Sequence, residues 1–247
     1  MYHFFAEHNN IHDTYIDITG SDVNHIKNVL RFKVGDELLI SSGDNVDYSC
    51  HISEMQDDYI RAEIDAVDEC GKELPSKIYL FQGLPKGDKM ELIIQKAVEL
   101  GVYEIIPVAT KRAVVKLDAK KAEAKQKRWQ SIAESAAKQS RRNIIPHIHE
   151  VVKFGQAVDY AKNLDITLIP YELAEDMEKT KQIFETIQPG QSIGIFIGPE
   201  GGFDESEIAL AQENGISPIT LGKRILRTET AGMAVLSVLM FQLEGRE

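Results

Sequence analysis

Between residues 193 and 231 the chain carries two glycine-rich turns: Ile197-Gly198-Pro199-Glu200-Gly201-Gly202-Phe203 and Leu221-Gly222-Lys223-Arg224-Ile225-Leu226-Arg227-Thr228-Glu229-Thr230-Ala231. Each follows a short apolar run and precedes a helical pattern, so both read as strand-to-helix turns. Three glycines in the five residues from Gly198 to Gly202 let the backbone approach a ligand closely and take positive φ. The familiar phosphate cradles do not fit. There is no Gly-x-Gly-x-x-Gly with the right glycines, and no Gly-Lys-Ser/Thr follows either turn. Taken alone, the first turn reads equally well as a plain connection.

At 247 residues, 43% of them hydrophobic, the chain can hold one large domain or two modest ones with a real core. Its longest apolar run, near Ala231 to Leu243, is short of the ~20 residues that span a bilayer. Glu7, Asn9, Asn10 and Asp13 sit where a signal peptide would be apolar, so the expectation is a cytoplasmic protein with no membrane partner. Cys50 and Cys70 make neither a metal-ligand spacing nor a disulfide framework, which predicts two reduced thiols and no metal site.

The net charge of −11 argues against a nucleic-acid partner only as an average. Residues 1–75 hold 5 basic and 16 acidic side chains, leaving 23 of each in the remainder. Residues 111–142 carry 11 basic against 3 acidic. That block is either a phosphate-facing surface or a solvated helix face.

Period-two alternation through Val46, Tyr48, Cys50, Ile52 and again through Ile60, Ala62, Ile64, Ala66 predicts half-buried strands joined by a turn at Asp57-Asp58. With a strand over 37–41 they give a small barrel or curled sheet. One helix interrupts them, capped by Ser21 and placing Val23, Ile26, Val29 and Leu30 on one face. Its end, residues 25–33, has no acidic residue in an otherwise acidic region, and His25, Lys27, Arg31 and Lys33 form a local RNA-contact candidate; the alternative is pairing with nearby acids.

The polar stretch 68–77 predicts a boundary, dividing residues 1–72 from 73–247. Beyond it strands and helices alternate: strands at 78–84, 103–109, 164–169, 192–197 and 218–221, and helices opened by Asp88 with Glu91, over 118–142, over 174–187, and opened by Asp204 with Glu207. This is an α/β pattern with a largely parallel sheet. The final helix, from about Glu229 to Gln242, is apolar almost all round and so must be buried, partly against another subunit.

Together, GPEGGF and LGKRILRTETA closely resemble the two cofactor loops of the SPOUT class of RNA methyltransferases, and specifically the RsmE family of 16S ribosomal RNA (uridine-N3) methyltransferases. The likeness extends over His25 to Arg31, Lys86 to Glu91, Gln95 to Val102 and Glu134 to Arg142, and so over nearly the whole chain. It implies a C-terminal α/β domain with a deep trefoil knot and an N-terminal PUA-like β-barrel domain that binds RNA. S-adenosyl-L-methionine would lie between the loops, in a pocket of main-chain amides and apolar side chains. Carried over residue by residue, that pocket comprises Pro170, Gly198, Glu200, Gly201, Gly202, Leu221, Gly222, Ile225, Leu226 and Thr228. The partners implied are 16S rRNA or the small ribosomal subunit and a second copy of the chain, paired through the knot domain. The target implied is N3 of U1498 in small-subunit RNA numbering. The acidic N-terminal region departs from what RNA binding suggests, which shifts the phosphate-contact candidates toward Lys86, Lys89, Arg112, Arg141 and Arg142, besides His25, Lys27 and Arg31.

Uracil N3 holds a proton that must leave before its lone pair can attack a methyl group. Arg227 and Glu229 are the catalytic candidates: a cation can stabilise charge spreading to the carbonyl oxygens, and a carboxylate can take the proton. For Glu229 the alternative is a favourable charge at the start of the last helix. Because N3 lies on the Watson–Crick edge, the target must be unpaired or flipped out. A non-catalytic RNA-binding assembly factor, or the same fold with another RNA target, are the competing readings.

Overall fold

A computed structural model describes residues 1–174 and 176–245. They form two compact units, Met1–Glu73 with Ala137–Ile145, and Leu74–Ala136 with Pro146–Glu247.

The first unit contains β1 (Tyr2–Phe5), β2 (Tyr15–Thr19), a short helix α1 (Ser21–Asn24), β3 (Glu37–Ser41), β4 (Asp47–Met55) and β5 (Tyr59–Asp68). The alternating residues put Ile16, Ile18, Leu38, Ile40, Cys50, Ile52, Ile60 and Ala62 on one face, where they close over Phe4, Val23 and Ile26. The sheet order is β1-β3-β4-β5-β2, antiparallel except for β1 with β3. Pairing stops at β1 and β2, so these strands make a curled sheet with two edges, one of the two forms the alternation predicts, where the resemblance implied a β-barrel.

The helix expected from Ser21 also differs. Its N-cap is Gly20, at φ 71°, and after Asn24 the backbone winds as a π-helix over His25–Leu30. The wider winding keeps Val23 and Ile26 inside but carries Val29 out to solvent. It ends on Arg31, at φ 57°.

The second unit is a parallel sheet built from β6 (Lys77–Gly83), β7 (Glu104–Ala109), β8 (His147–Ile148), β9 (Val152–Lys153), β10 (Ile166–Pro170), β11 (Ser192–Ile197) and β12 (Ser217–Ile219). The order is β12-β10-β11-β6-β7-β8, with β9 also on β7. Its helices are α2 (Lys89–Glu99), most of α3 (Ala119–Ser140), α4 (Phe154–Ala161), α5 (Met177–Thr186), α6 (Glu205–Glu213) and α7 (Thr228–Leu243). One face of the sheet presents Phe81, Ile106 and Phe196 to α4 and α6; the Phe81 and Phe196 rings stack at 4.3 Å. On the other face α7 packs against α2 and β11.

Asp204 caps α6 through the expected reciprocal box with Glu207. Asp88 opens α2 without a side-chain cap bond, and the reciprocal half of the expected box is also missing, since the Glu91 side chain pairs with Arg128 at 2.8 Å. Helix α5 begins at Met177, three residues after the expected start, and residue 175 of that expected span lies outside the described residues. Helix α3 ends on Arg141 at φ 58°, with the Arg142 N–H donating back to Ala137 O at 3.0 Å. Helix α7 is buried along Gly232, Val235, Leu236, Leu239 and Leu243, but Val238 and Phe241 face outward, Phe241 with 85% of its surface exposed.

Candidate active site

Because every strand pair in the second sheet is parallel, the C-terminal ends of β6, β10, β11 and β12 lie along one edge. Gly83–Asp88 follows β6, GPEGG follows β11 and the Leu221–Arg227 loop follows β12. Register fixes their spacing: Ile197 pairs with Gln82, and Pro170 with Ile219.

The two glycine-rich loops are joined by hydrogen bonds. Thr228 Oγ1 donates to Gly198 O at 2.6 Å and accepts from Gln82 Nε2 at 2.9 Å. Gln82 is fully buried and also donates to its neighbour Gly83 O at 3.0 Å. A Cβ at Gly83 would stand 2.6 Å from Pro199 Cδ, so only glycine lets the first loop seat on the end of β6. Gly202, at φ 67°, donates its N–H to Pro199 O and closes the turn.

An ion cluster ties the same elements together. Lys89 Nζ lies 3.0 Å from the Glu200 carboxylate and 3.3 Å from that of Glu229. The Lys86 N–H donates to both Glu200 oxygens, at 3.2 and 3.3 Å. Partial burial pushes the Glu200 carboxyl upward, but the amides around it and the Lys89 ammonium outweigh that and hold it below the usual carboxylate range. The same carboxylates, Glu200 first, raise the Lys89 ammonium above its ordinary value. At the other end of the first loop Arg112 reaches Gly201 O at 3.5 Å and Asp204 at 3.6 Å, while the Lys111 N–H donates to Glu207 at 2.8 Å.

In the second loop Leu221 and Leu226 are half-buried and Ile225 is 89% exposed. The N–H groups of Leu221, Ile225 and Leu226 have no partner among the described residues, whereas that of Gly222 is held by Thr220 Oγ1 at 3.3 Å. Free amides beside apolar side chains suit a flat, nitrogen-rich ring that needs both donors and apolar cover. Arg227 occupies the N-cap position of α7, exposed and without an acidic partner among the described residues.

The residues 72–240 match the model of a family described as "RNA methyltransferase domain", and residues 18–65 match one described as "RNA methyltransferase PUA domain". A protein of Bacillus subtilis named ribosomal RNA small subunit methyltransferase E is 39% identical over 231 residues, covering 92% of this chain and 90% of its own length. The chain belongs to this family. A second member, from Mesomycoplasma hyopneumoniae, is 37% identical over 96% of the chain and 98% of its own. The crystal structure of the Neisseria gonorrhoeae member, bound to S-adenosyl methionine, superimposes with a TM-score of 0.84 at 31% identity, covering 98% of this chain and 97% of that one.

Family membership leaves the individual side chains to be sorted by geometry. Glu200, Gly201, Gly202, Gly222 and Thr228 stand together around the joined loops, and Pro170 ends the strand beside β12. Glu229 is also drawn in, as an ion-pair partner of Lys89. The RNA-contact candidates divide. Arg142 is buried at 6% exposure with its guanidinium on Glu73, which makes it part of the first unit's packing and not a phosphate contact. Lys27 pairs with Asp57 at 3.0 Å, and Lys89 is held by its two glutamates. His25, Arg31, Lys86 and Arg141 keep exposed side chains. Sequence reasoning missed Gln82 and Gly83; a lone glutamine in the apolar run from Ile78 to Leu84 was the available signal.

Proposed function

We propose that this chain transfers a methyl group from S-adenosyl-L-methionine to N3 of a uridine in 16S ribosomal RNA, the position numbered U1498 in small-subunit RNA. The observation that carries the reading is the joined pair of loops at one sheet edge, with unpartnered amides at Leu221, Ile225 and Leu226. The family's S-adenosyl methionine-bound member supports it. When bound, the cofactor supplies an electrophilic methyl group on a sulfonium. The chain's own part is to seat it: Gly198 to Gly202 and Pro170 on one side, and Leu221, Gly222, Ile225 and Leu226 on the other. Thr228 serves by holding the loops, since its hydroxyl proton is already given to Gly198.

In-line methyl transfer needs little covalent help, so positioning supplies much of the rate. Arg227, uncommitted and exposed at the helix start, is placed to stabilise the negative charge that spreads to the uracil oxygens as N3 loses its proton. Glu229 sits in the first turn of α7, where the helix dipole favours its charge, and faces Lys89. Its role in this reading is to hold the second loop. Arg227→Ala is therefore expected to lower kcat by roughly 10²-fold or more, and Glu229→Gln by a few-fold at most; normal turnover of Arg227→Ala reverses the assignment.

The knot belongs to the same proposal, since the parallel order β12-β10-β11-β6 brings the two loops side by side. So do cytoplasmic location and a homodimer through the second unit, for which the outward Val238 and Phe241 supply the apolar contact. No helix of the described residues is long and apolar enough to cross a membrane. Calorimetry with S-adenosylmethionine tests the cofactor, and absence of binding by folded protein ends the enzyme reading. N3-methyluridine blocks reverse transcription, so primer extension along 16S RNA from a deletion strain tests the target. Loss of the stop near the 3′ end supports it; an unchanged stop excludes it.

A further inference from the structure

A cavity of about 200 Å³ opens beside the first loop but shares no residue with either glycine-rich turn. Its walls are Leu84, Pro85, Gly87, Asp88 and Met90 after β6, and Val115, Leu117, Lys125 and Trp129 on and before α3. That volume is below the ~300–1,000 Å³ of pockets for drug-sized ligands. It is nearer the size of a single planar base than that of an entire cofactor.

The lining is mostly apolar, with three polar features. Trp129 is 3% exposed, and its buried indole Nε1 has no hydrogen-bond acceptor among the described residues. Asp88 opens α2 but makes no side-chain cap bond to it, leaving an acceptor at the rim. Lys125 is the third. Along α3 and its approach, Lys121 pairs with Asp118, Lys127 with Glu123 and Arg128 with Glu91. Lys125 has no acidic partner among the described residues, although it is half-buried against the cavity.

A mostly apolar slot edged by Trp129, with one free acceptor at Asp88 and one unneutralised cation at Lys125, matches a single nucleotide: apolar walls for a base, an acceptor for its edge and a cation for its phosphate. We propose that this cavity takes one unstacked base of the RNA strand flanking the methylated nucleotide, with Lys125 on its phosphate. The site lies in the most basic stretch of the sequence, residues 111–142. It adjoins the methyl-transfer site through Lys86, whose N–H is bonded to Glu200. The proposal rests on the methyltransferase reading above, which it extends from the cofactor to the strand.

Trp129 is the chain's one tryptophan, so its emission reports on the cavity directly. The experiment titrates S-adenosylmethionine-saturated protein with tri-uridylate and, separately, with uridine 5′-monophosphate. Tri-uridylate should quench Trp129 and bind more tightly than the monophosphate, because only a strand engages further cations of the block. Lys125→Glu, which removes the phosphate partner, and Leu117→Phe, which fills the slot from a half-buried loop position, should each weaken tri-uridylate binding on the order of tenfold. Both should raise KM for the RNA substrate and leave S-adenosylmethionine affinity unchanged. Unchanged Trp129 emission, equal affinity for both nucleotides, or variants that bind like wild type would each overturn the proposal. Failure of the cofactor itself to bind would instead strike the methyltransferase reading, so the two outcomes are distinguishable.

Discussion

The hydroxyl of Thr228 donates to one glycine-rich loop while accepting from a buried glutamine on β6, the strand beside β11, so one side chain sets the gap across which a ligand would lie. Thr228→Val keeps the shape and removes both bonds, leaving Gly198 O without its donor and Gln82 with one bond fewer. Leaving buried groups unsatisfied costs about 1–3 kcal/mol. The expected outcome is a lower urea midpoint with an unchanged slope, together with S-adenosylmethionine affinity weakened about tenfold in calorimetry. A variant as stable as wild type would show that the hydroxyl does not bridge the loops. Lys89 offers a contrast at the same scale. Its contact with Glu200 is partly exposed, and such pairs are usually worth little, whereas the Glu229 oxygen that faces it is buried. Removing the ammonium, though, leaves Glu200 and Glu229 facing one another, so Lys89→Met should harm cofactor binding more than Glu229→Gln does.

Among the elements of the first unit, a buried polar chain joins three strands: His3 on β1 bonds to Ser41 on β3 at 2.7 Å, Ser41 donates to Asp47 on β4, and Asp47 pairs with Lys72. Burial lowers the His3 imidazole from its ordinary 6.5, with Asp47 opposing, so the ring is neutral in the fold. Burial pushes Asp47 upward, but Lys72 and Ser41 more than reverse it and hold the carboxyl below its ordinary value. Both groups bind more protons unfolded than folded, so both contributions are present at neutral pH. The His3 contribution fades as pH falls below about 6.5, and that of Asp47 only as pH falls below the ordinary carboxylate value. The thermal midpoint should therefore drop from about pH 8 to about pH 5, and His3→Gln should flatten that slope; identical slopes would remove His3 from the account. At this scale much was legible beforehand. Alternation gave β4 and β5, and the Asp204–Glu207 box gave the start of α6, because both signals are local. The π-helical winding at His25–Leu30 was not, since it answers to packing of Ile26. Nor was the incomplete box at the start of α2, where the Glu91 side chain pairs with Arg128, 37 residues away in sequence. The two-residue strands β8 and β9 carry too few side chains to show any period.

For the molecule as a whole, the sequence placed two turns after two strands but could not say that those strands lie on either side of β10, because strand order is a tertiary property. The resemblance of GPEGG and RILRTET to known loops supplied what periodicity could not. It also frames the apolar helix α7, whose uniform hydrophobicity demanded burial on every side. Its inner residues are buried, but Phe241 is 85% and Val238 51% exposed. Burying a side chain of this size is worth about 1.5–3 kcal/mol, and a two-fold interface counts each twice. Against an association cost of roughly 4–15 kcal/mol, those two residues are a large share of what a dimer requires. Phe241→Glu removes the larger of them from both copies and places two like charges near the axis. Light scattering should then find wild type at twice the 27.7 kDa chain mass and the variant at that mass. The variant's circular dichroism should stay native, since the position is exposed in the single chain. If wild type runs as a monomer, the outward stripe of α7 is not a self-association surface. If the variant remains a dimer, the interface lies elsewhere.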